Sequence, residues 1–247
     1  MQRLQTPSFG ALFGARACAA RCTGALADSP RRLQGIPNPD LVHAYMAECS
    51  IGEDKVKLEV VNVMAGENRS PEFTSKNPQG TVPALELEDG RVMAESTMIC
   101  QYLDEKYGPT TVMGLTPEDR LETRMWINRI EENILIPMGE AFRFGFMYEF
   151  FKDRRPGTLI PEAVDGCKLS SATGIAWLEE QLGDGREWLC GERFSLADMR
   201  LFVIYAFYSG QDKSLQATSS PLFDAWLERC KGTPGVDSVV FKPKPKL

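Results

Sequence analysis

One stretch, residues 77–108, restricts the fold more than any other part of this 247-residue chain. It begins Asn77-Pro78-Gln79-Gly80-Thr81-Val82-Pro83-Ala84-Leu85 and runs to Tyr107-Gly108. An apolar strand over 82–87 meets a turn at Glu88-Asp89-Gly90, and a second short strand follows over 91–94. An Asp-Gly pair between two apolar runs is a strong hairpin signal, because the turn needs a residue that accepts positive φ. Beyond it, Met98, Ile99, Tyr102 and Leu103 recur at helical spacing, and Ser96 stands where a hydroxyl would cap the first turn. The order is strand, turn, strand, helix, with Glu95 and Ser96 at the helix start.

The flanking sequence extends this pattern in both directions. Residues 33–36 read as a first strand, though poor in β-formers. Asn38 as N-cap with Pro39 at the first helical position opens a helix carrying Leu41, Val42, Tyr45 and Met46. The alternation over 55–60 predicts a strand, and Ser70 caps a short helix. Residues 31–108 are thus expected to form a β-α-β-α-β-β-α thioredoxin-like half, and 109–116 a linker. After it the pattern is helical. Thr116-Pro117-Glu118-Asp119 supplies a cap, a proline and first-turn acids, and the run continues to about residue 151 with Pro137 expected to kink or split it. A helix follows from Pro161 to about Gly183. Ser195 and Asp198, spaced as a capping box, open another, and Ser220-Pro221 starts the last. The expected fold class is therefore an α/β thioredoxin-like N-terminal domain plus an all-α domain over 117–236, with a tail at 237–247.

Several of these elements together resemble the cytosolic-type glutathione transferase superfamily. The matching residues are Asn77-Pro78-x-Gly80-x-Val82-Pro83-x-Leu85, Asp89-Gly90, Glu95-Ser96 and Tyr102-Leu103, joined by Gly191-x-x-Phe194-Ser195-Leu196-Ala197-Asp198. The resemblance spans about residues 33–235, and the helical part looks most like the bacterial-type theta, beta and nu neighbourhood. It implies a cis peptide bond before Pro83. It implies that the Val82 backbone pairs with the cysteinyl part of glutathione, and that Glu95 and Ser96 hold its γ-glutamyl end. Ser195 and Asp198 would be structural. It also implies a homodimer and a detoxification role. The chemistry suits those roles: an acid beside a helix N-terminus complements an ammonium and a carboxylate.

Activating the glutathione thiol requires a hydrogen-bond donor, because only the thiolate is a good nucleophile. Most classes place a Tyr, Ser or Cys near the end of the first strand. Here that place falls on 36–38, and no Tyr, Ser or Cys lies between Arg31 and Asp40. Asn38 can donate through its amide. Pro37-Asn38 resembles the end of a Thr-Pro-Asn run found in nu-like members, which are better disulfide reductases than conjugating enzymes, but Ile36 stands for their Thr. Asn38 is the candidate catalytic residue, with helix capping as its other reading. For the second substrate, the aromatic run Phe142, Phe144, Phe146, Met147 and Tyr148 with Arg143 would favour an apolar or aromatic electrophile, Arg143 meeting an anionic group. Of these, Phe142, Arg143 and Tyr148 are the foremost candidates.

The expected activity is glutathione transfer to an electrophile, or glutathione-dependent disulfide or peroxide reduction. The alternative is a non-catalytic binding or complex-assembly module, which Ile36 favours and Val82-Pro83 with Glu95-Ser96 disfavours. Composition narrows the remaining classes. A net charge of −6 does not indicate a nucleic-acid surface, and no apolar run approaches the roughly 20 residues of a membrane helix. The seven cysteines are scattered with no Cys-x-x-Cys, so neither a disulfide framework nor a glutaredoxin-type dithiol is read, and the single His43 gives no metal site. Residues 1–30 carry Arg3, Arg16 and Arg21, several hydroxyls and one acid, Asp28, which is the composition of a transit peptide for a mitochondrion or plastid. An unprocessed tail on a cytoplasmic protein is the alternative. The terminal Pro245-Lys246-Leu247 only loosely resembles a peroxisomal address.

Overall fold

The computed structural model describes residues 20–23, 36–155 and 157–240. The hairpin forms as its turn chemistry demands. Strands β3 (Ala84–Glu86) and β4 (Val92–Ala94) pair antiparallel, with Leu85 opposite Met93. Gly90 takes φ +84° in the connecting turn, where its N–H donates to the Leu87 carbonyl at 3.0 Å. Asp89 accepts from the Arg91 N–H at 3.0 Å, fixing the turn with a side chain.

Strand β1 (Ala20–Thr23) runs parallel to β2 (Val56–Glu59) and antiparallel to β3. The four-stranded sheet therefore has the order β2-β1-β3-β4. The first strand therefore lies inside the stretch whose composition suggests a leader, and Ile36, expected in that strand, is instead the N-cap of the first helix. Residues 1–19 and 24–35, which hold the rest of the leader reading and all but the last residue of the strand expected over 33–36, lie outside the described residues.

Helix α1 spans Pro37–Glu48, α2 Pro71–Lys76 and α3 Ser96–Tyr107. Ser70 caps α2 as expected, its hydroxyl accepting from the Phe73 N–H at 3.2 Å. Leu41 and Tyr45 of α1, Leu85 of β3 and Ile99 and Leu103 of α3 are almost fully buried in one core. The thioredoxin-like half is thus present, with two corrections at helix starts. Asn38 is not the cap of α1 but its second residue, and Ser96 is not the cap of α3 but its first residue. Glu95 holds the cap position instead.

The helical half begins at α4 (Pro117–Ile130), where Thr116 and Asp119 form a reciprocal capping box. Pro137 splits the long run as expected, and the chain absorbs the break in a π turn over Glu131–Leu135 before α5 (Ile136–Ala141). A second π turn, Phe142–Phe146, separates α5 from α6 (Tyr148–Phe151). Then come α7 (Val164–Leu182), α8 (Leu196–Gln211) and α9 (Pro221–Lys231). Asp198 reaches back from α8 to the Ser195 N–H at 3.0 Å and also accepts from Leu189 N–H and Trp226 Nε1, a buried structural cap as expected. A final helix, α10 (Pro234–Val240), occupies part of the expected tail; residues 241–247 lie outside the described residues. It packs on α1, and the Gly235 N–H donates to Glu48.

The two halves are locked by Asp104. Its fully buried carboxylate accepts from Tyr45 Oη at 3.0 Å, Thr110 N–H at 2.9 Å, Thr110 Oγ1 at 2.6 Å and Arg120 Nη2 at 2.5 Å. These donors come from α1, the linker and α4, so one side chain orients the helical half on the sheet half.

Candidate functional site

A cavity of about 570 Å³ lies between the two halves. Its sheet-side wall includes Ile36, Asn38, Val82, Pro83, Glu95 and Ser96. The separate motifs singled out by sequence therefore converge on one site. The loop that delivers Val82-Pro83 is held by its neighbours. Gly80 takes φ +60°, Asn68 Nδ2 donates to its carbonyl at 2.7 Å, and Asn77 Nδ2 donates to the Thr81 carbonyl at 2.8 Å. A Cβ on Gly80 would lie 2.7 Å from the Asn68 carbonyl oxygen, so only glycine fits this close approach. The Val82-Pro83 peptide is cis, as the resemblance implies.

At the start of α3, Glu95 has φ +70°, a region that side-chain-bearing residues seldom enter. Such backbone strain is retained where surrounding structure enforces it, often at functional sites. It leaves an exposed carboxylate on the cavity wall beside the first-turn N–H groups, which have no partner within the helix.

Ser96 and Asn38 touch directly. Ser96 Oγ donates to Asn38 Oδ1 at 3.1 Å, and Arg200 Nη1 from α8 donates to Ser96 Oγ at 3.2 Å. Arg200 can only donate, so the hydroxyl accepts from it and keeps its one proton for the Asn38 oxygen. With its oxygen facing Ser96, Asn38 turns its Nδ2 group elsewhere, where among the described residues it makes no hydrogen bond. Arg200 is itself held by Glu131 of the first π turn, through Nε at 2.7 Å and Nη2 at 3.0 Å. The backbone adds to the pattern. Pro37 and Pro39 have no N–H, so Asn38 carries the only amide hydrogen of the first three positions of α1.

The opposite wall belongs to the helical half. Of the residues expected there, Phe142, Arg143 and Met147 line the cavity, whereas Phe144, Phe146 and Tyr148 do not. Phe144 is buried in the core and Phe146 faces solvent, because the second π turn sends successive side chains in different directions. Phe142 packs against Phe207 and Tyr208 of α8. Burial pushes the Tyr208 phenol up, so it stays protonated, with the nearby Arg143 and Arg200 pulling the other way. Arg69, Arg154 and Arg155 also reach the cavity. Sequence reasoning missed Arg69, Arg155, Arg200 and Tyr208 as site residues. Arg200 alone carried a signal, as an arginine within the apolar run of α8. A charge set among buried neighbours must be paired.

Four of the cysteines are held away from the thiolate form. Burial pushes the thiols of Cys49, Cys167, Cys190 and Cys230 up. Among the described residues no cluster of His, Cys, Asp and Glu could hold a metal ion, and no helix is long and apolar enough to cross a membrane.

Comparison with known proteins adds the following. Residues 46–111 match the family profile "Glutathione S-transferase, N-terminal domain", and residues 161–229 match "Glutathione S-transferase, C-terminal domain". Glutathione S-transferase D7 of Drosophila melanogaster is 31% identical over 216 residues, covering 81% of this chain and 88% of that protein. Glutathione S-transferase 2 of Saccharomyces cerevisiae is 28% identical over 209 residues, covering 83% and 85%. The crystal structure of Gtt2 from Saccharomyces cerevisiae superposes with a TM-score of 0.72 at 27% identity, covering 88% of this chain and 98% of that one.

Proposed function

The chain belongs to the glutathione S-transferase superfamily, and we propose that its interdomain cavity binds glutathione and uses the bound thiolate as a nucleophile. The observation that carries this reading is the convergence of Asn38, Val82-Pro83, Glu95 and Ser96 on one wall. The γ-glutamyl ammonium meets the Glu95 carboxylate. The adjoining carboxylate meets the N–H groups at the start of α3, since the Ser96 hydroxyl proton is already committed to Asn38. The cysteinyl backbone pairs with Val82. The Asn38 Nδ2 and backbone N–H groups then donate to the sulfur and favour its anionic form. In conjugation, sulfur forms a bond to an electrophilic carbon, whose leaving group departs with the electron pair. In reduction, it attacks one sulfur of a disulfide and expels the other as a thiolate. A second glutathione then resolves the mixed disulfide.

Calorimetry with glutathione tests the site: wild type binds and Glu95→Ala does not. Turnover of 2-hydroxyethyl disulfide tests the thiolate role: Asn38→Ala lowers kcat while glutathione affinity changes little. An unchanged rate would remove Asn38 from the mechanism. One observation favours a second reading, the non-catalytic assembly module. Ile36, the N-cap of α1, lines the cavity and has no side-chain donor. Glutathione binding without turnover of any disulfide or electrophile would support it. We also infer a homodimer through the α3–α4 face, where Met98, Leu121 and Met125 are exposed. Sedimentation at the 27.5 kDa monomer mass would refute it. Organelle import of the chain is likewise proposed on the composition of residues 1–19, which precede β1.

A further inference from the structure

Charge is distributed unevenly in this molecule. The chain carries a net −6, yet among the described residues its interdomain cavity is lined by four arginines and a single carboxylate. The sheet-side groups suffice for glutathione itself. Glu95 complements the ammonium, and the α3 N-terminus takes one carboxylate. Arg69, anchored to the Gln79 carbonyl at 2.8 Å, stands beside the Gly80 loop for the other.

The helical wall then has cations left over. Among the described residues, Arg143, Arg154 and Arg155 form no ion pair with any carboxylate. Arg154 lies over the Phe150 ring at 3.9 Å and donates to the Phe150 carbonyl, which accounts for its position. Arg143 and Arg155 have no comparable anchor, apart from a loose approach of Arg155 to the Phe151 ring at 5.9 Å. Partial burial, then the guanidiniums of Arg143 and Arg69, push the Arg155 guanidinium down, so these cations crowd one another. Like charges held together beside apolar surface cost free energy unless an anion joins them. Around them the wall is aromatic, with Phe142 and Phe207 packed edge to face.

We propose that the second substrate is an aromatic electrophile bearing a carboxylate, its ring against Phe142 and its anion between Arg143 and Arg155. This rests on the glutathione-binding reading above and adds the substrate class. With a chloronitrobenzoate, the glutathione sulfur bonds to the ring carbon and the C–Cl bond breaks. Chloride leaves with the electron pair, and the thiol proton passes to solvent.

The test uses three ligands in calorimetry: glutathione, S-(2,4-dinitrophenyl)glutathione and S-(4-carboxy-2,6-dinitrophenyl)glutathione. Charge-assisted hydrogen bonds from two guanidiniums predict that wild type binds the carboxylated conjugate about tenfold more tightly than the neutral one. The Arg143→Met/Arg155→Met double variant loses that preference and keeps its glutathione affinity. Arg143→Lys, with the charge retained, keeps most of the preference and guards against a folding defect. Equal affinities in wild type, or a preference that survives in the double variant, would overturn the inference while leaving glutathione binding intact. Failure of wild type to bind glutathione would remove the parent reading, and this one with it.

Discussion

Replacing Arg200 with methionine separates what holds the site from what the site does. The side chain is 12% exposed and makes three hydrogen bonds, two to Glu131 and one to Ser96. Methionine keeps much of the stem's packing and removes the charge. A fully buried pair broken this way costs about 3–5 kcal/mol. Glu131 keeps 31% exposure and can recover water, so the expected loss is smaller, about 1–3 kcal/mol. The functional effect arises separately. Without Arg200, the Ser96 hydroxyl loses its fixed donor and is free to turn, so its hold on the Asn38 oxygen loosens. The lock is worth about one neutral hydrogen bond, ~0.5–1.5 kcal/mol, which corresponds to a roughly two- to twelvefold lower kcat. Urea denaturation reads the first quantity, and glutathione-dependent reduction of 2-hydroxyethyl disulfide well below the unfolding temperature reads the second. Arg200→Lys retains the charge and recovers part of both. A fully active, folded Arg200→Met enzyme would refute the argument that this chain of donors orients Asn38.

Three further outcomes follow from the geometry. Asp104→Ala strands donors from α1, the linker and α4 around a buried site, and urea denaturation should show a loss of about 3–5 kcal/mol; a loss under 1 kcal/mol would contradict the clamp. With their thiols pushed up by burial, Cys49, Cys167, Cys190 and Cys230 should resist iodoacetamide at pH 7.5 in the native protein and react once unfolded, read by peptide mass spectrometry. Rapid native labelling at any of them would reopen a cysteine mechanism. Gly235→Ala would put a Cβ 2.4 Å from the Ala44 carbonyl oxygen, and should lower stability by about 1–3 kcal/mol in thermal melts.

What the sequence disclosed was local. The Asp89-Gly90 turn, the Thr116 and Ser195 caps and the Glu95-Ser96 helix start are decided by residues within a few positions of one another, and each is present within a residue or so. Boundaries were less legible. Pro37 at the first position moved the start of α1 ahead of Asn38, and a positive φ at Glu95 moved the cap of α3 back by one. β1 was hidden because its residues, Ala20-Arg21-Cys22-Thr23, share the Arg- and Ala-rich composition of the stretch around them. α10 was hidden because Pro234-Gly235 looks like a breaker, whereas proline opens this helix and glycine permits its contact with α1. The half of the site that escaped sequence reasoning is supplied across long separations. Arg200 lies 104 positions from Ser96, and only tertiary packing brings them together.

The two π turns in the long helical run bear on how such a cavity changes over generations. A π turn accommodates one residue more than an α turn would, and its flanking helices can stay in place. Glu131–Leu135 and Phe142–Phe146 are therefore the points at which this helix can gain or lose a residue without moving α4 or α5 from the core. Glu131, the anchor of Arg200, lies in the first, and Phe142 and Arg143 lie in the second. Aligned descendants of a common ancestor should show their single-residue gaps here. A gap in the second would exchange a group on the helical wall of the cavity in one genetic step, while the sheet-side wall is left as it was.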